Sequence, residues 1–447
     1  MPSQRCELTA TELDDAGFGV GTSEGRRVHV ADLLPGERAE VAIDHASPHR
    51  PEAWGRIVRR IGAQSALRAE PACPGFGRCG GCAWQHLDYA AQLAAKRQRV
   101  EAALGRPVAE VRPSPRQLGY RNKGKYVVGL AGGRLVLGAY APRTHDVVDT
   151  LGCKIVEPII DEVASWVHGA AERAQLVPYD EKTRTGELRY VIVRESKGDV
   201  MVALVVAPGT ARTKLERVAN ALSRHPAVRG VVAIQNDRRD GAIVPAGSSA
   251  QVLLGHGHLV EELAGVPVAI GAAEFLQVNR EQAAAMYARV AELAFTAGGL
   301  ALDLYAGLGG IGLHLARAGM RVIAVELDPD AVAALRRAAE RAQLPLEARA
   351  GDAAKLAPDL RAHAPSVVVV NPPRKGLSDG ARELVVALAP PKIVYVSCGP
   401  ESLARDLAEF ARAGYAPDVI EPFDLMPGTA QVETVVRLTR DRDRGER

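Results

Sequence analysis

The sequence predicts an α/β chain, with a β-rich front half and a parallel, helix-covered sheet at its C-terminal end. Three observations predict this. After about residue 270, apolar strands each lead into a helix-like run, as a parallel sheet covered on both faces requires. The first 62 residues alternate short strand-like runs with Gly- and Pro-bearing turns, the pattern of a small barrel. Between these lies a long strand-rich stretch that opens on a segment rich in Cys, Gly and Pro. A chain of 447 residues exceeds one ordinary domain, and the divisions read are 1–62, 63–265 and 266–447.

Within the first unit, Arg27-Val-His-Val30 and Ala39-Glu-Val-Ala-Ile43 alternate as strands, and Leu34-Pro-Gly-Glu37 turns between them, Pro presetting φ and Gly accepting positive φ. Residues 70–85 hold no regular pattern. A helix is expected from Asp88 to Leu104, with Tyr89, Leu93 and Val100 as its apolar positions. Strands follow at Lys125–Gly129, Arg189–Val193, Val200–Val206 and Val231–Ile234, with one helix near 210–224. In the last unit, Leu300–Leu304, Arg321–Glu326, Ser366–Val370 and Lys392–Val396 read as strands, and Ala331–Ala342 as a helix. The charged end, Asp441–Arg447, is expected to fray.

The bulk numbers describe a folded protein: 47% hydrophobic and 24% charged residues, net charge +3 and pI near 8.5. A mildly basic chain permits a nucleic-acid partner without demanding one. The first residues lack a signal-peptide core, and no apolar run is long enough for a bilayer, so a cytoplasmic protein without membrane contact is expected. Oligomeric state is not legible; a monomer is the default. Of six cysteines, Cys73, Cys79, Cys82 and the distant Cys153 offer four thiolates for zinc or iron–sulfur. Disulfides would be unusual in that compartment, and Cys6 has no partner in the scheme.

Chemistry concentrates at strand ends, where open α/β sheets bind ligands. Asp303-Leu-Tyr-Ala-Gly-Leu-Gly-Gly-Ile-Gly312 satisfies G-x-G-x-x-G through Gly307, Gly309 and Gly312, and Glu326 closes the next strand where a ribose-binding carboxylate belongs. By itself this pattern fits a dinucleotide, S-adenosylmethionine, or a bare tight turn. Asn371, Cys398 and Asp352 add polar groups at or near other strand ends. A dehydrogenase needs neither the Asn-Pro-Pro-Arg turn nor the Ser-Cys-Gly-Pro turn; a two-substrate site with a nucleophile needs both.

At this level of detail the chain resembles the RNA 5-methyluridine (uracil-C5) methyltransferase family, in its subgroup with an N-terminal TRAM barrel and a [4Fe-4S] cluster. The resemblance rests on Asn371-Pro-Pro-Arg-Lys-Gly376, sixteen residues, then Ile393-Val-Tyr-Val-Ser-Cys398. It also rests on Phe275-Leu-Gln-Val-Asn279, Tyr120-Arg-Asn-Lys123, Gly138-Ala-Tyr140 with Thr144–Val147, and Asp15–Gly21, in collinear order from about residue 11 to 437. It implies a Rossmann-like, S-adenosylmethionine-dependent catalytic domain. It implies Cys398 as the nucleophile that adds to C6 of a uracil, with a helix N-terminus lowering its pKa. Glu433 would be the base for the C5 proton, and Asn371 the reader of O4 and N3. Gln277, Asp303, Tyr305, Gly307, Glu326, Asp352 and Asn371 would line the cofactor site. Arg121 and Lys123 would contact RNA, large-subunit rRNA ahead of tRNA, and Cys73, Cys79, Cys82 and Cys153 would hold the cluster.

Three features depart from the family pattern: Gly399 where Asn is usual, Ser402 for Thr, and Pro427-Gly-Thr-Ala-Gln-Val-Glu433 where the family has P-H-[ST]-x-H-V-E. The missing histidines keep two other readings open. One is an RNA cytosine-C5 methyltransferase, with the Asn371 amide reversed. The other is an RNA-binding assembly factor that retains the fold with little turnover.

Overall fold

The computed structural model describes residues 4–142, 144–240, 242–245 and 247–440. The charged tail from Asp441 lies outside them. The first unit is one six-stranded sheet made of β1 (Arg5–Thr9), β2 (Glu12–Leu13), β3 (Phe18–Ser23), β4 (Arg26–Ala31), β5 (Arg38–Ala46) and β6 (Glu52–Ile61). Its order is β1-β5-β6-β4-β3-β2, and it closes over a small core that includes Leu8, Val30, Leu33 and Val41. The Leu34–Glu37 turn forms, with Gly36 at φ 86°. Burial opposes the Glu37 charge. Arg68 and the N–H groups of Leu34 and Ser65 outweigh that and hold its carboxyl down at about 2. This buried acid thereby fastens the sheet to the segment that follows it.

Next comes α1 (Tyr89–Leu104), capped by the Asp88 side chain, which accepts from Ala90 N–H. Its fully buried residues are Gln92, Lys96 and Val100. The expected apolar positions Tyr89 and Leu93 are only partly buried. The central unit comprises β7 (Lys123–Ala131), β8 (Arg134–Tyr140), β9 (Val147–Asp149), α2 (Pro158–Arg173), β10 (Leu188–Ser196), β11 (Asp199–Val206), α3 (Arg212–Leu222), β12 (Val228–Gln235) and β13 (Ala250–Gly255). The sheet order is β13-β12-β11-β10-β7-β8-β9. The helix α2 was not expected in this strand-rich stretch. Pro158 stands in its first turn, and Ile160, Val163, Ala164, Val167, Ala170 and Ala171 form a helical stripe against the sheet.

A hairpin of β14 (Leu259–Leu263) and β15 (Val266–Ile270) spans the expected boundary at 265/266, pairing Leu263 with Val266 across it. The last unit contains α4 (Arg280–Ala294), β16 (Leu300–Leu304), α5 (Gly310–Arg317), β17 (Arg321–Glu326), α6 (Pro329–Arg341), β18 (Leu346–Ala350), α7 (Ala357–Leu360), β19 (Val367–Val370), α8 (Asp379–Leu388), β20 (Lys392–Ser397), α9 (Pro400–Arg412), β21 (Tyr415–Phe423) and β22 (Glu433–Arg440). Its sheet runs β18-β17-β16-β19-β20-β22-β21, parallel from β18 through β20 and antiparallel at β22 and β21. Strand order reverses between β16 and β19, which opens a crevice at their carboxyl ends. One hydrophobic core runs from Tyr190, Ile192 and Met201 of the central sheet through β15 to Leu313 and Val394, so the last two units share an interior.

Candidate active site

Sheet register assembles the site. Ser397 of β20 lies opposite Thr434 of antiparallel β22, so Cys398 and Glu433 emerge together at one edge. Cys398 is half-buried and directly precedes Gly399, the N-cap of α9. The expected depression of its pKa is not what this geometry gives. Burial, and next the Glu433 charge, push the thiol up, while the Arg374 guanidinium pulls it back. Burial likewise pushes the Glu433 carboxyl up to about 7, against a hydrogen bond from Gln277 and the charge of Arg374. Such a carboxyl is poised to exchange protons near neutrality. Two residues here were not singled out from sequence. Arg374 faces both reactive groups, and Gln431 holds it by accepting from its guanidinium at 3.1 Å. Gln431 occupies the place of the family's second histidine.

The glycine turn forms the other wall. Tyr305 (φ 63°), Gly307 (φ 55°) and Gly309 (φ 84°) take left-handed backbone. A Cβ on Gly309 would meet the Leu335 side chain at 2.3 Å, so glycine is needed there for α6 to approach. A Cβ on Gly307 would meet nothing within 4 Å. Glu326 accepts from Gly307 N–H at 2.8 Å and from the N–H groups of Leu327 and Asp328. Asp303 is buried beneath the turn, and burial pushes it up to about 7 against the pull of the Gly312 N–H. Asp352 is exposed and caps the next turn by accepting from Ala354 N–H. Asn371 is half-buried at the end of β19, its N–H on the Leu304 carbonyl. Cys398, Glu433, Gln277, Asp303, Tyr305, Gly307, Glu326 and Asn371 therefore share the carboxyl edge of one sheet and the segments beside it, with Asp352 at its rim.

The Tyr120–Lys123 segment sits differently from the expected RNA surface. Lys123 is buried and donates to the Glu274 carbonyl at 2.8 Å, and burial lowers its pKa to about 6. Arg121 turns inward beside Cys82 and Cys153; its Nε is buried without a hydrogen-bond partner, and Nη2 reaches Met426 Sδ at 3.4 Å. Several other basic residues are ion-paired, including Arg56 with Asp44, Arg60 with Asp32 and Glu37, and Arg97 with Glu101 and Glu110.

All four cysteines of the expected cluster are free and half-buried. They lie within electrostatic reach of one another: Cys73 and Cys153 act on Cys79, and Cys153 and Cys79 act on Cys82. Burial pushes Cys82 up to about 11, with Arg121 opposing. Among the described residues, no three His, Cys, Asp or Glu side chains are gathered closely enough to hold a single metal ion. Tetrahedral zinc, with bonds of about 2.3 Å to sulfur, would need the thiolates drawn together.

Comparison with known proteins follows the same lines. Residues 349–441 match the family described as tRNA (Uracil-5-)-methyltransferase. An uncharacterized RNA methyltransferase of Halalkalibacterium halodurans is 33% identical over 97% of this chain and 96% of its own length. One from Caldanaerobacter subterraneus is 35% identical over 96% of this chain and 97% of its own. The crystal structure of Pyrococcus abyssi tRNA (uracil-54, C5)-methyltransferase, in complex with S-adenosyl-L-homocysteine, aligns with a TM-score of 0.79 at 26% identity, covering 97% of this chain and 99% of that one.

Proposed function

Because the chain belongs to the RNA methyltransferase family whose members include tRNA (uracil-5-)-methyltransferases, we propose that it methylates C5 of a uridine in RNA through a covalent adduct on Cys398. The observation that carries this reading is the juxtaposition of Cys398 and Glu433 at one sheet edge, with Arg374 facing both. C5 of uracil is a poor nucleophile. Addition of the Cys398 sulfur to C6 forms a C–S bond and moves the ring's π electrons onto C5 and O4. S-adenosylmethionine, when bound, supplies C5 with a methyl group from its sulfonium and departs as the thioether. Glu433 then takes the C5 proton, the C5–C6 double bond re-forms, and the C–S bond breaks to return the thiolate. Arg374 stabilises that thiolate, offsetting burial. The Asn371 amide presents a donor and an acceptor, which suit O4 and N3–H of uracil.

The residues present fit that cofactor. Gly307 leaves open space where a side chain would stand, and Glu326 offers carboxylate oxygens at the crevice for ribose hydroxyls. For the cysteine loop the occupant proposed is an anionic iron–sulfur group in preference to a lone zinc ion. The thiols of Cys79, Cys82 and Cys153 lie within electrostatic reach of a largely buried Arg121, which makes no ion pair with a carboxylate among the described residues. Cys73, Cys79, Cys82 and Cys153 would hold a [4Fe-4S] cluster in this reading; methyl transfer needs no redox step, so its part is structural. No helix among the described residues is long and apolar enough to cross a membrane, and the site of action proposed is the cytoplasm.

Large-subunit rRNA is the substrate proposed. A tRNA substrate is the second reading, favoured by the solved P. abyssi enzyme, which acts on tRNA and matches this chain over nearly its whole length. The test is a deletion strain complemented with wild type or Cys398→Ala, with 5-methyluridine and 5-methylcytidine quantified separately in large-subunit rRNA and tRNA. Loss of rRNA 5-methyluridine, restored only by wild type, is expected. Loss from tRNA would transfer the substrate, and loss of 5-methylcytidine would mean that Asn371 reads cytosine. No change in either modified base would overturn the enzymatic reading in favour of an assembly factor.

A further inference from the structure

A helix that buries Gln92 and Lys96 along with Val100 is unusual, since burying an amide and an ammonium is costly unless each is fully partnered. Here Lys96 and the Gln92 side-chain oxygen take their partners from one short stretch of chain far away in sequence. Gln92 Oε1 accepts from Gly428 N–H at 2.8 Å, while its Nε2 donates to the Trp84 and Leu87 carbonyls. Lys96 Nζ donates to Asp424 Oδ1 at 2.5 Å and to the Met426 carbonyl at 3.0 Å, and neither side chain of that ion pair is exposed. Arg99 donates to the Ala430 carbonyl at 3.0 Å. Val100 packs against Val432.

Positions 92, 96, 99 and 100 have the spacing i, i+4, i+7, i+8, which is one face of a helix. That face engages residues 424 to 432, the stretch that ends at Glu433. The loop before α1 joins in. Trp84 N–H donates to the Gly428 carbonyl at 2.8 Å, and a Cβ on Gly428 would come within 3.2 Å of Gln85 and 3.7 Å of Cys82. Gly428 itself has φ 75° and occupies the place of the family's first histidine.

We propose that this face of α1 is the positioning surface for the catalytic base: Gln92 and Lys96 act as positioning residues that fix the 424–432 segment and thereby the Glu433 carboxylate. The proposal rests on the reading of Glu433 as the group that removes the C5 proton. It assigns the cysteine loop a place in the same device. Any change there that shifts Cys82–Gln85 reaches Glu433 through Gly428.

The consequence is step-specific. Addition of Cys398 and methylation of C5 do not use Glu433, whereas proton removal and release of the product do. Two variants test this: Gln92→Leu, and the double change Lys96→Met with Asp424→Leu, which replaces a buried ion pair by apolar groups of similar size. The readouts are the fraction of enzyme in a methylated, denaturation-resistant RNA adduct, tritium release from RNA labelled at uridine C5, and hydrogen exchange of amides 426–433. Product release is expected to slow on the order of 10²-fold, with the adduct accumulating and amide protection lost at Gly428. Parallel loss of adduct formation and of release would mean a merely structural role and would overturn the proposal. So would unchanged exchange at 426–433, whatever the chemistry does. Glu433→Gln separates the two readings: failure to trap the adduct in that variant refutes Glu433 as the base, while the exchange data still judge the positioning of the segment.

Discussion

Replacing Arg280 by Met should destabilise the protein in a strongly pH-dependent way. Arg280 opens α4, directly after the Phe275–Asn279 segment, and gathers three acids from other elements. It donates to Glu261 at 3.0 Å and to Glu195 at 2.9 Å, and lies 3.5 Å from Glu157. Those side chains are 1%, 5% and 15% exposed, so Met would leave buried carboxylates without their cation. Breaking a buried pair from one side costs about 3–5 kcal/mol. An unfolding entropy of about 2.1 cal/mol/K per residue gives roughly 0.9 kcal/mol per degree for a chain of this length, so Tm should fall by roughly 3–5 °C at pH 8.

The pH dependence has a definite sign. Burial, and then its neighbour Glu195, raise Glu157 to about 7 from an ordinary value of 4.5. A carboxyl raised on folding binds its proton more tightly in the native state, so it disfavours the fold progressively as pH rises from about 4.5 to 7. Without Arg280 the acids are harder still to ionise, and the penalty should be larger at pH 8 than at pH 5.5. Calorimetry of both proteins at the two pH values is the assay. A Tm loss under about 1 °C at pH 8, or a loss greater at pH 5.5 than at pH 8, would refute the reasoning.

Other consequences are as direct. Asp303→Asn should stabilise the free protein at pH 8, by on the order of 4 kcal/mol before relaxation, because the carboxyl raised to about 7 disfavours the fold above that pH; chemical denaturation at pH 5 and pH 8 reads the difference. Gly309→Ala should cost roughly 1–3 kcal/mol, since its Cβ would meet Leu335 at 2.3 Å on left-handed backbone, and equilibrium dialysis should show weakened cofactor binding. Single-turnover product release should rise with pH through about 7 as Glu433 ionises, and a flat profile from pH 6 to 8 would count against it as the base. Anaerobically purified protein should contain iron and sulfide, with both lost together in Cys82→Ser; stoichiometric zinc would remove the cluster from the reading.

The sequence was most informative where local pattern and tertiary role agree. Apolar strands followed by helices announced the parallel sheet, and the strand-end residues Asp303, Glu326, Asn371 and Cys398 fall at its carboxyl edge. Legibility failed where burial is decided by distant partners. Arg121 and Lys123 were expected to contact RNA because nothing local shows that Met426 and Glu274 will enclose them, and nothing near Lys96 in sequence announces its partner Asp424. The helix α2 was missed in a stretch read as strand-rich, although Pro158 suits a first helical turn. Arg374 stood inside a recognised motif yet drew no role, since its nearness to Cys398 and Glu433 exists only after β22 has paired with β20.

That last kind of dependence bears on how the protein matures in the cell. The contacts between α1 and the segment before β22 join residues 328, 330 and 336 positions apart. A nascent chain emerging from its N-terminus can complete its first sheet and α1 long before their partner exists. During that interval Lys96 and Gln92 face water or a passing surface instead of Asp424 and Gly428, and the thiols of the cysteine loop are less enclosed than in the finished protein. Closure over such sequence distances is intrinsically slow. Glu433, the base in the proposed mechanism, is therefore set only after synthesis is nearly complete, and the time in which the cysteines stand less enclosed is the time needed to make the rest of the chain.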